Sequence, residues 1–109
     1  MNAEPIPVLV QEHLSAARSA TSGRSANTVL GGRDHRLRQT LVALAAGHEL
    51  ADHESPGEAT LQVLEGVVRV ETATDAIQLV AGDLMAIPDE RHSLRALEDS
   101  AVLLTVANS

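Results

Sequence analysis

Cysteine, phenylalanine, tyrosine and tryptophan are all absent from this chain of 109 residues, and so is lysine. Without cysteine there is no disulfide framework, no thiolate nucleophile and no sulfur ligand, so any metal site must use histidine, carboxylate or amide groups. Without aromatic side chains there is no stacking platform for single-stranded bases. Long apolar runs are missing too. The longest, Leu41 to Ala46, falls far short of the roughly 20 residues that span a bilayer, and Met1 to Pro7 lacks the basic start and apolar middle of a secretory signal. The expectation is a soluble, cytoplasmic chain with no membrane partner. Its length suits one domain with one core and room for one cavity, since a chain of this size buries about two-thirds of its unfolded surface.

Positive charge is scarce and unevenly placed. Residues 1–40 carry five arginines against three acidic residues, whereas residues 41–109 carry three against twelve, a balance of −9 within a net charge of −7. Such a surface repels phosphate backbones, so nucleic acid is not an expected partner of the body of the domain.

Val10, Leu14 and Ala17 recur at helical spacing within Val8 to Ala20, which predicts a short amphipathic helix after Pro5 and Pro7. Gly23 is placed to stop it, and Gly31-Gly32 marks a second break, so residues 1–30 read as a helical arm and 31–109 as the main domain. From Leu37 onward the rhythm changes to short apolar or alternating runs: 37–46, 59–64, 67–72, 77–80, 84–87, 92–97 and 101–107. Seven such runs separated by turn residues predict an all-β sandwich or barrel. Glu65-Gly66 reads as a two-residue hairpin turn, because glycine tolerates the positive φ that a primed turn demands. Thr74-Asp75 and Ala81-Gly82-Asp83 punctuate similarly, and Ser55-Pro56-Gly57 breaks the chain just after His53.

Two segments around the histidines resemble the paired motifs of the cupin superfamily. In the first, Gly47 is followed by five residues and then His53, with Gly66 closing the segment; in the second, Gly82-Asp83-Leu84-Met85-Ala86-Ile87-Pro88 precedes His92. The resemblance covers residues 37–107 and implies a small jelly-roll-like cupin barrel preceded by the N-terminal helix. It also implies where a divalent ion (zinc, manganese, iron or nickel) would sit, because the family binds one through two motif-one histidines, a glutamate and the motif-two histidine. Here Ser55 stands at the second histidine's place and Ala59 at the glutamate's, which leaves His53 and His92 as metal candidates. Glu58 is one residue off, and a slip of one in a strand sends the side chain to the other face.

Each candidate has a plainer alternative. His53 and His92 form either a ligand or metal pair or two partly buried histidines bonded to each other, to backbone or to water. Glu49 lies four residues before His53, so alternation puts both on one strand face and allows Glu49 to add a carboxylate, although a solvated strand-end acid has the same pattern. His48 should face the other way, and His13 and His35 read as solvent groups. Ala59, Leu61 and Val63 share the face that the family turns inward, while Leu94 and Ala96 share that of His92. Together these residues describe either an apolar ligand pocket or a well-filled core. Arg38, Gln62 and Arg95 either reach an anionic ligand or point outward. The serines lack the Gly-x-Ser-x-Gly context of a hydrolase nucleophile.

Three functional expectations follow: a cupin that binds or senses a small molecule in the apolar pocket, a metal-dependent isomerase or dioxygenase-like enzyme, or a regulatory cupin without its own DNA-binding domain. An early strand around Thr28 to Leu30 is placed to cross to a partner, so a homodimer is expected.

Overall fold

The alternating runs become two facing antiparallel sheets. The computed structural model describes residues 1–53 and 57–108, apart from the side chains of residues 52 and 53. Helix α1 (Ile6–Ser19) leads into nine strands: β1 (Arg24–Leu30), β2 (Leu37–Leu44), β3 (Glu49–His53), β4 (Glu58–Glu65), β5 (Val67–Glu71), β6 (Ala76–Val80), β7 (Leu84–Ala86), β8 (His92–Ala96) and β9 (Ser100–Ala107). One sheet runs β1-β2-β9-β4-β7 and the other β3-β8-β5-β6. From β2 onward the chain passes repeatedly between the sheets, as a jelly-roll barrel requires, so the all-β expectation holds.

Alternation assigns the faces. In β4, Ala59, Leu61 and Val63 are buried while Thr60 and Gln62 on the other face are partly exposed. Their cross-strand partners Val106, Leu104 and Val102 continue that face across β9, and Val102 pairs in turn with Val42 of β2. The second sheet contributes Val68 and Val70 of β5 opposite Ala96 and Leu94 of β8. These two apolar faces close on each other to form the main core. With no aromatic residue available, that core is built from Val, Leu and Ala.

The expected hairpin at Glu65-Gly66 is corrected by the pairing. β4 pairs with β7 and β9, whereas β5 pairs with β6 and β8, so Gly66 marks a corner where the chain crosses from one sheet to the other. Its φ of 89° is the left-handed conformation that glycine takes freely. A Cβ there would also run into the Ser100 hydroxyl and the Asp99 carbonyl. Ser100, itself buried, stitches this corner together: its Oγ accepts from Val67 N at 3.1 Å and lies 2.7 Å from the Glu98 carbonyl, to which it can donate.

Helix α1 covers the outer face of the larger sheet. Val10, Leu14 and Ala17 are buried against Leu41, Ala43 and Ala101, forming a second apolar cluster. Full burial of a valine or leucine side chain contributes roughly 1.5–3 kcal/mol each, so this contact is a substantial part of the domain's cohesion. Polar links fix the helix in place. His13, expected as a solvent group, instead lies with Nδ1 2.7 Å from the Ser25 hydroxyl of β1. Arg18 donates to Asp99 at 3.2 Å, and the same carboxylate accepts from Ala46 N at 2.8 Å. Those donors, the Ala46 amide first and the Arg18 guanidinium second, hold the Asp99 carboxyl below the usual aspartate range. No helix among the described residues is long and apolar enough to cross a membrane.

Candidate functional site

A buried imidazole sits where the two sheets face each other. His92 opens β8 and is only 5% exposed, on the same face as Leu94 and Ala96. Its Nδ1 lies 2.9 Å from the backbone carbonyl of Glu90. A carbonyl only accepts, so Nδ1 carries the proton, and in the neutral ring the lone pair is on Nε2. This bond fixes both the tautomer and the orientation of the ring.

Around it lies a cavity of about 50 Å³ whose wall combines residues of both sheets. Leu61 and Val102 come from the larger sheet, Leu94 and Val70 from the smaller, and Met85 and Ile87 from β7 and the turn after it. Apart from His92, every described side chain in that wall is a hydrocarbon or the thioether of Met85. A water molecule needs roughly 10–15 Å³ on the same measure, so the cavity suits a ligand of a few heavy atoms.

The residues singled out in the sequence are distributed as follows. His92, Leu61 and Leu94 line the cavity; Ala59 and Val63 are buried on the same face of β4 but outside its wall. His53 is the cross-strand partner of His92 in backbone register. Its side chain, and Ser55 as a whole, lie outside the described residues. Glu49 is corrected. The register shifts between Leu50 and His53, so strict alternation fails along β3, and it is Leu50 that pairs with Leu94 and lines the cavity. Glu49 is exposed and opposite Arg95, another exposed residue. His48 is exposed and lies over Gly23, where its ring fills the space a Cβ would need. The reading from sequence missed Val42, Leu50, Val70, Met85, Ile87, Val102 and Leu104, although the alternation of Val70 with its polar neighbours Arg69 and Glu71 was a usable signal.

The donor chemistry can be set against the metal that the motifs imply. Among the described residues no three of His, Asp and Glu converge, and the position matching the family's carboxylate is the buried methyl of Ala59. The described residues therefore do not fit a mononuclear ion, which normally takes at least three protein ligands. What they do form is an apolar cup with one oriented imidazole.

No family model and no curated protein matches the chain. Solved structures do. A cupin superfamily protein from Desulfitobacterium hafniense DCB-2 superposes with a TM-score of 0.77 at 18% identity, over 100% of this chain and 94% of its own. An RmlC-like cupin protein from Desulfovibrio desulfuricans is 26% identical with a TM-score of 0.67, over 77% of this chain and 81% of its own. An HTH_3 family transcriptional regulator from Vibrio cholerae is 22% identical with a TM-score of 0.65 over 79% of this chain; the match spans 51% of that regulator.

Proposed function

With the chain a small domain of the cupin fold, we propose that it binds a small, largely apolar molecule in the cavity between its sheets, with His92 as the polar contact. The observation that carries this reading is the cavity whose described wall is hydrocarbon and thioether apart from the buried His92 imidazole, held by the Glu90 carbonyl. A wall of Val, Leu, Ile and Met favours an apolar body, and the oriented imidazole of His92 adds a polar group to that wall. A thermal-shift screen of small alcohols, ketones and amides tests this. A ligand at a hundredfold excess over its Kd stabilises the folded state by about 2.7 kcal/mol, a melting shift on the order of 10 °C for a domain of this size. The expected result is such a shift for at least one compound and its reduction in His92→Leu. A screen in which none shifts the natural chain contradicts the reading.

Two other roles have specific support. The backbone pairing of His53 with His92 favours a metal-dependent enzyme, isomerase or dioxygenase-like, which would need further ligands from outside the described residues. The match to about half of a transcriptional regulator favours a sensing role, with the bound molecule as the signal. For assembly we propose a homodimer, because β1 is an edge strand of the larger sheet and open edges are commonly paired or covered.

A further inference from the structure

Arg33, Arg36 and Arg38, with His35, Asp34 and Asn108, line an open cleft of about 650 Å³ at the end of the larger sheet. This cleft shares no lining residue with the cavity around His92. Three arginines there face one acidic residue on a chain whose net charge is −7. Of the other arginines, Arg18 pairs with Asp99 at 3.2 Å and Arg69 with Glu71 at 3.0 Å, while Arg24, Arg91 and Arg95 lie at separate places in the chain. Among the described residues the guanidinium groups of Arg33, Arg36 and Arg38 have no ion pair or hydrogen bond. Three of the eight arginines thus stand together, without an ion pair, in one concave place.

The loop that presents these side chains is held at several points. Gly31 has a φ of 95°, and a Cβ there would run into the Leu37 carbonyl and Arg38 Cα, so the loop folds back tightly on the start of β2. A turn follows, with His35 N donating to the Gly32 carbonyl at 3.1 Å. At the far end Asn108 N donates to the Arg36 carbonyl at 2.6 Å, which ties the loop to the chain just after β9. Arg38 itself is positioned by the sheet, opposite Val106.

We propose that this cleft binds a compact phosphate-bearing anion of at least two negative charges. Guanidinium groups present paired N–H donors whose spacing matches phosphate oxygens, and several of them around one concavity offset a multiply charged group better than a single charge. The occupant is small because the −9 on residues 41–109 repels an extended polyanion such as duplex DNA.

Calorimetric titration of the full chain with inorganic pyrophosphate at low salt tests the proposal, beside amide NMR mapping. Citrate, phosphatidylglycerol vesicles and duplex DNA serve as the carboxylate, lipid and nucleic-acid arms. Saturable pyrophosphate binding is expected, with amide shifts concentrated at Gly31 to Arg36 and at Asn108. The double variant Arg33→Gln with Arg38→Gln should weaken it by about tenfold or more. The double variant Arg69→Gln with Arg95→Gln makes the same change in net charge on the other sheet and should change it by less than about twofold. Absence of saturable binding by the natural chain overturns the site, and equal weakening by the two double variants reduces it to a general field effect. Tighter binding of citrate, vesicles or DNA than of pyrophosphate overturns the assigned ligand. The NMR map of the natural chain decides the location even if a variant fails to fold.

Discussion

Ala59 places a methyl group where the cupin motif carries a carboxylate, and its neighbourhood is apolar: it is buried opposite Val106. Restoring the motif is therefore a test of the metal reading. Ser55→His combined with Ala59→Glu should rebuild a four-ligand cage with His53 and His92. Without metal the variant should lose about 1–3 kcal/mol from the buried polar groups. On adding manganese, nickel, iron or zinc after chelator treatment its melting temperature should rise on the order of 10 °C, against a small rise for the natural chain. A large rise in the natural chain that His53→Ala or His92→Ala removes would show a working metal site and move the enzyme reading ahead. At this scale the sequence made His92 legible, because the spacing from Gly82 through Pro88 falls on one strand-turn-strand segment. Which reading of Glu49 held was not legible, because a register shift between Leu50 and His53 is invisible to a period of two.

Helix α1 joins the barrel through one apolar seam and a few polar clasps, and the clasp at Asp99 is sensitive to pH. Its folded carboxyl is held below the usual aspartate range, first by the Ala46 amide and then by Arg18. A depressed carboxylate stabilises the fold above the ordinary aspartate pKa of about 3.9, and the contribution is lost as the pH falls through the lower folded value. Urea midpoints of the natural chain and Asp99→Asn should therefore differ most near neutrality and draw together as the pH falls below the ordinary aspartate pKa of about 3.9. A constant difference across that range would show that the clasp acts by shape alone. β4, β5 and β8 were legible because one buried face enforces alternation, and β2 and β9, buried on one face against the other sheet and on the other under α1, were legible as apolar runs. β1 was harder to see, since nearly all its residues are exposed at the sheet edge. The corner at Gly66 was misread as a hairpin because positive φ marks both kinds of turn, and only strand pairing separates them.

For the whole molecule, the edge strand and the cavity make separate demands. Sedimentation at micromolar concentration should show a dimer; a species of 11.5 kDa would contradict the assembly drawn from β1. The cavity was only partly legible from sequence because its wall draws on both sheets, and which residues meet depends on how those sheets are paired and stacked. Its role is open to one direct measurement: methyl NMR of the natural chain and of Leu94→Phe, a substitution that fills the cavity, during titration with cyclopentanol. The natural chain should show saturable shifts at Leu61, Met85, Leu94 and Val102, with Val10 and Leu14 under α1 unmoved, and Leu94→Phe should abolish them. Shifts that persist in the filled variant, or that appear equally under α1, would contradict a ligand site between the sheets.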